Sequence, residues 1–106
     1  MSRREQIEAM LVDDPTDQFL RYALAMELDK AGENDASLQK LAELQRDENA
    51  YVPAYFMAAQ QLTRLDRINE ARTILRDGIA LADKVGNAHA AGEMREFLTG
   101  LGREGE

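Results

Sequence analysis

The feature that most constrains this chain is a recurrence at a step of 34 residues. Leu24, Ala25, Leu28, Gly32, Ser37, Leu41 and Leu44 fall opposite Ala58, Ala59, Leu62, Asp66, Ala71, Leu75 and Gly78, so large and small residues return in register. Within each copy, apolar residues at helical spacing are interrupted once by a polar, turn-forming break, which is the pattern of two helices joined by a short turn. Units of this kind cannot bury their apolar faces alone and must stack on neighbours.

The residues that carry the pattern are Tyr55-Phe56-Met57-Ala58-Ala59-Gln60-Gln61-Leu62, the break Arg64-Leu65-Asp66-Arg67, and then Ala71, Leu75, Gly78 and Ile79. A period of about 34 with an aromatic and a small residue in the first helix and an Ala-x3-Phe element in the second resembles the tetratricopeptide repeat. The resemblance extends over most of the chain and has departures. The aromatic of the first helix is Tyr55 in the second copy and Arg21 in the first. Ala-x3-Phe stands as Ser37-x3-Leu41 and Ala71-x3-Leu75, and the closing proline is replaced by Asn49 and Asp83. The fold class implied is an all-α superhelix of about six helices.

The boundaries follow from the frame. Residues 3–12 form an N-terminal capping helix, 16–48 the first repeat, 52–84 the second, 88–101 a C-terminal capping helix and 102–106 a flexible tail, together one helical repeat domain. In the first segment Ile7, Met10 and Leu11 fall on one side. Asp13-Asp14-Pro15-Thr16-Asp17 reads as a helix start, with Asp14 as N-cap, Pro15 in the first position and Asp17 favoured by the helix dipole. The same carboxylates lack the glycine and the distal glutamate of a calcium loop, so no metal is assigned.

At about 100° per residue the helix from Thr16 to Lys30 has two apolar stripes, Leu20, Leu24, Leu28 and Ala31 on one side and Phe19, Tyr22 and Met26 on another. One neighbouring helix cannot cover both. Gly32 suits a left-handed C-cap, and Asn34 or Asp35 the next start. The second helix of this copy turns Leu38, Leu41, Ala42 and Leu44 or Gln45 inward. Pro53 opens the next helix, whose inward stripe is Tyr55, Ala58, Ala59, Leu62 and Leu65, with Phe56, Met57, Gln60, Thr63 and Arg64 opposite. The helix after it turns Ala71, Ile74, Leu75, Ile79 and Leu81 inward, and its Arg72 and Arg76 read as solvated or paired with acids such as Asp77. The last helix carries Ala91, Met94, Phe97, Leu98 and Leu101 at helical spacing.

Charge and composition narrow the function classes. A net charge of -7 disfavours binding to a nucleic-acid backbone. Acids exceed bases by 12 to 6 in residues 1–50 and only by 8 to 7 in 51–106. That excess solubilises the first half or attracts a basic partner to it. Cysteine is absent, so no disulfide frame or thiolate site exists. No apolar run is long enough for a membrane span and no secretory core follows Met1, which makes a soluble cytoplasmic protein the expectation. His89 stands without a second histidine or a cysteine. No nucleophile–base pair, metal-ligand set or phosphate-binding glycine loop is present, so an enzyme or small-ligand binder ranks last and no cofactor is expected.

The resemblance implies a protein-interaction module. In that family the first helices line a concave groove that receives a peptide or a partner helix. Carried over by position, the groove residues are Phe19, Tyr22, Met26, Asp29 and Lys30 from the first repeat and Phe56, Met57, Gln60, Thr63 and Arg64 from the second. Family members that clamp a chaperone's terminal carboxylate use Lys and Asn where this chain has Tyr22, Ala23, Met26, Phe56, Met57 and Gln60, so that specificity does not carry over. Aromatics and methionine favour an apolar segment or amphipathic helix. The competing expectation is a homo-oligomeric scaffold, a homodimer for instance, that uses the same face.

Overall fold

The computed structural model describes the backbone of residues 1–105 and the side chains of residues 1–102. It contains six helices, α1 (Arg3–Asp13), α2 (Gln18–Lys30), α3 (Asn34–Gln45), α4 (Val52–Arg64), α5 (Ile68–Lys84) and α6 (Ala88–Gly105). No strand occurs among the described residues, so the all-α expectation is borne out. No helix is long and apolar enough to cross a membrane among the described residues. The chain divides into two units, Met1–Tyr51 and the segment from Val52 onward.

In the first unit α2 packs against both α1 and α3. Helix α1 starts at a capping box, in which the Ser2 hydroxyl accepts from the Glu5 N–H at 3.1 Å and the Glu5 carboxylate accepts from the Ser2 N–H. Its apolar side is narrower than the sequence suggests. Ile7 is buried against Ala23, Leu24 and Leu28 with Leu11 beside it, whereas Met10 is 52% exposed. Ion pairs from Arg3 to Glu27 and from Arg4 to Glu33 (2.6 Å) tie α1 to α2 and to the turn after it.

The start of α2 differs from the expectation. Asp17 is the N-cap, its carboxylate accepting from the Leu20 N–H at 2.8 Å. Asp14 is spent as the C-cap of α1, with its N–H bonded to the Met10 carbonyl. Pro15 and Thr16 therefore form a turn between the helices.

Helix α2 ends in a Schellman motif at Gly32, φ 79°. The Glu33 N–H reaches the Leu28 carbonyl at 2.9 Å and the Gly32 N–H that of Asp29 at 3.0 Å. One repeat step later the same motif closes α4, with the Arg67 N–H on Leu62 and the Asp66 N–H on Thr63. Here the left-handed residue is Asp66, φ 60°, the one non-glycine with positive φ among the described residues. A third copy at Gly86 ends α5, with Asn87 bonded back to Ala82.

The core keeps the repeat register. Ala25 and Ala59, Ser37 and Ala71, and Leu41 and Leu75 are fully buried pairs one step apart. Truncating a leucine such as Leu41 to alanine costs about 2–5 kcal/mol in sites of this kind. Several residues placed inward are less buried than expected. Ala31 is exposed at a C-cap and Leu65 is 37% exposed, while Gln61 is buried in a place where the stripe gave no reason for it.

The register slips at α6. A strict step from Ala54 and Ala58 lands on Ala88 and Gly92, which are exposed, whereas Ala91 and Met94 are fully buried. The cause is the length of α5, 17 residues against 12 in α3, which delays the next start. Helix α6 then continues through Gly105, past the expected end at Leu101, because Gly100 and Gly102 keep negative φ and no proline intervenes. Of the expected tail, Glu106 lies outside the described residues.

Candidate functional site

The expected site residues sit on the leading helices, five on α2 and five on α4. On α2, Phe19 is 64% exposed, Tyr22 and Met26 are half-buried in line with it, and Asp29 and Lys30 follow at the helix end. Tyr22 is held by a neighbour from the segment between α3 and α4. Its ring meets that of Tyr51 edge to face, with centroids 5.5 Å apart. Burial, and then the nearby Tyr51, push the Tyr22 hydroxyl above its usual pKa. Lys30 bonds Glu27 at 3.2 Å, and Glu27 in turn holds Arg3 of α1.

Beside this stripe lies an open polar depression of about 530 Å³, lined by Thr16, Gln18, Arg21, Asp47, Glu48 and Asn49. Three of its polar side chains, Gln18, Arg21 and Asp47, are already engaged with one another. Arg21 donates from both terminal nitrogens to the Asp47 carboxylate, at 2.7 and 3.1 Å. Gln18 donates to the same carboxylate and to the Asn49 carbonyl at 2.6 Å. The Arg21 and Gln18 hydrogen bonds hold the Asp47 carboxyl below the usual carboxylate range. This network fastens the segment after α3 onto α2, and the Tyr51 N–H adds a bond to the Leu44 carbonyl. Arg21 thus serves as a strap where the second copy has Tyr55.

On α4 the expected separation of Phe56 from the packing surface is corrected. Phe56 is half-buried because α6 comes alongside, and its ring meets Phe97 edge to face at 5.5 Å. Met57 is half-buried as well. Gln60 and Arg64 are exposed, and the Thr63 hydroxyl donates to the Ala59 carbonyl at 2.8 Å. Phe56, Phe97, Glu93 and Glu96 line a shallow opening of about 270 Å³. Phe97 belongs to the residues expected at helical spacing on the last helix, and the two glutamates are additional to them. Their spacing of three on a helix was the available signal.

Arg72 has a role the sequence did not give. It donates to the Asn69 side chain at 2.9 Å and to the Leu101 carbonyl of α6 at 3.0 Å, so it joins α5 to α6. His89 is 87% exposed and lies 3.0 Å from Glu93 one turn along. Among the described residues no group of three or more His, Cys, Asp or Glu side chains is placed to hold a metal ion. What the two leading helices offer is surface: aromatic and methionine side chains bordered by charge.

No protein-family model and no curated protein matches the sequence. Two solved structures do. One is a tetratricopeptide repeat domain protein from Salinibacter ruber, solved by solution NMR, 30% identical, matched over 82% of this chain and 88% of that one with a TM-score of 0.77. The other is the solution structure of a protein from Bordetella parapertussis, 28% identical, matched over 98% of this chain and 90% of that one with a TM-score of 0.81. Turn motifs repeated one step apart and a relative of this similarity agree. The chain belongs to the tetratricopeptide repeat family.

Proposed function

We propose that the chain is a protein-interaction module, an adaptor in the cytoplasm that binds a peptide or a partner helix through the second stripe of its leading helices and acts by binding, without catalysis. The observation that carries this reading is on α2. That helix buries Ala23, Leu24, Ala25 and Leu28 within its own unit, yet holds Phe19 64% exposed in line with Tyr22 and Met26. Folding gains nothing from a phenylalanine held in water, and aromatic and methionine side chains are the usual anchors of adaptable recognition. The contact set on this reading is Phe19, Tyr22, Met26, Asp29 and Lys30 on α2, with Phe56, Met57, Gln60, Thr63 and Arg64 on α4.

The test is affinity capture and crosslinking with the wild type, Phe19→Ala and the Phe56→Ala, Met57→Ala double variant. Partners recovered by the wild type and lost by the variants support the assignment, and equal recovery of every partner discards it.

A second reading is favoured by Met10 at 52% and Val12 at 81% exposure on α1, which add apolar surface to that of Phe19. A second copy of the chain would cover these residues. Light scattering over a dilution series separates the two readings. A tight dimer that persists in the Phe56→Ala, Met57→Ala variant favours self-association over a free binding face.

A further inference from the structure

The opening between α4 and α6 combines apolar rings with two carboxylates that no lysine or arginine among the described side chains pairs with. Phe56 and Phe97 meet edge to face and each keeps part of its surface accessible. Glu93 and Glu96 stand one turn apart on α6 and border the same opening of about 270 Å³. The nearest arginine of that helix, Arg95, is turned to Asp83 of α5. His89 contacts Glu93, but an imidazole supplies a counter-charge only when protonated. Glu96 makes no ion pair among the described residues, and both carboxylates are exposed.

Four kinds of side chain could enter such an opening. An aliphatic one would cover the rings and take water from two carboxylates without replacing it, which is costly. An acidic one is repelled. A lysine ammonium answers the charge, but it is strongly hydrated and cannot lie flat on a ring. A guanidinium does both: its face stacks on an aromatic ring while its N–H edge bonds carboxylates.

We propose that the opening formed by Phe56, Phe97, Glu93 and Glu96 receives an arginine side chain of an extended partner segment. The inference rests on the binding-module reading above and names the chemistry of the partner at this position. Charge complementarity selects arginine, and the aromatic pair explains why a diffuse cation would not suffice.

The test uses the full chain and four fluorescent pools of degenerate heptapeptides. Their central residue is fixed as arginine, citrulline, leucine or glutamate, and their other positions exclude lysine and arginine. Fluorescence anisotropy reads affinity, and amide chemical shifts of α4 and α6 read location. The expected result is roughly tenfold tighter binding of the arginine pool than of its uncharged citrulline isostere, with shifts centred on Glu93, Glu96 and Phe97. The Glu93→Gln, Glu96→Gln double variant, whose altered side chains are exposed, keeps its helicity and brings the arginine pool down to the citrulline level. Phe97→Leu weakens the arginine pool selectively. Equal binding of the arginine and citrulline pools overturns the arginine inference and leaves the binding-face reading standing. Absence of binding by all four pools overturns it too, and the capture experiment with the Phe56 and Met57 variant then decides the wider reading independently.

Discussion

Tyr55 lies so close over Gly78 that a β-carbon on the glycine would come within 2.7 Å of the tyrosine's own Cβ. The same added carbon would also stand 2.7 Å from the Met94 Sδ. Methionine can swing aside, but a Cβ is fixed to its backbone, so α4 and α5 would have to separate. Gly78→Ala gains about 1 kcal/mol of helix propensity and incurs about 1–3 kcal/mol of overpacking. The expected outcome is a net loss of about 1 kcal/mol, read as a lower urea midpoint.

Asp66 takes the left-handed position that glycine fills at Gly32 and Gly86. An L-residue there carries a strain of about 1 kcal/mol that glycine does not. Asp66→Gly is therefore expected to stabilise the protein, and Gly32→Ala to destabilise it by about the same amount, although nothing lies within 4 Å of the added carbon at Gly32. Urea unfolding of both variants checks the pair. A destabilised Asp66→Gly protein would contradict the assignment of strain.

The Arg21–Asp47 strap has a pH signature. The folded-state pKa of Asp47 is lowered from an ordinary value of 3.8, chiefly by the Arg21 hydrogen bonds. A lowered folded pKa contributes stability that is complete above the unfolded value and is lost as pH falls through the folded one. Asp47→Asn should thus be less stable than the wild type by about 1 kcal/mol at pH 7. The difference should shrink as pH drops below 3.8, towards zero once the wild-type carboxylate is protonated. Urea midpoints for both proteins across that range provide the measurement, and a gap that stays constant would show that charge is not the cause.

Ser37 donates its hydroxyl to the Ala25 carbonyl at 2.7 Å in a fully buried position. The equivalent residue in the second copy is Ala71, also fully buried, so the site accepts a bare methyl group. Ser37→Ala should cost only about 1 kcal/mol, the net worth of one such hydrogen bond. A thermal melt distinguishes this from the larger loss that a cavity would cause.

What spacing along one helix can reveal was legible in the sequence. Leu24, Leu28, Leu41, Leu44, Leu62 and Leu75 are buried in the positions that the repeat frame assigns. Gly32 closes α2 as its conformational freedom implies. Spacing cannot rank competing caps: Asp14 and Asp17 are chemically alike, and which of them caps α2 depends on where α1 spends its last carbonyls. Nor can it find partners on other elements. Tyr22 meets Tyr51, Arg21 meets Asp47 and Phe56 meets Phe97 only after helices have crossed and a loop has taken its path. The residues of the two expected stripes do lie on α2 and α4, and the aromatic neighbours that partly cover them, Tyr51 and Phe97, come from other segments.

One repeat position is filled by Arg21 in the first copy and by Tyr55 in the second, and each is tied to its own neighbour, Asp47 for the arginine and Gly78 for the tyrosine. A tyrosine moved alone into position 21 would strip Asp47 of its cation. The hairpins can consequently be exchanged or duplicated only as whole cassettes, with both members of a pair inherited together. A cut within a hairpin would part such a pair, whereas a cut between hairpins leaves it whole.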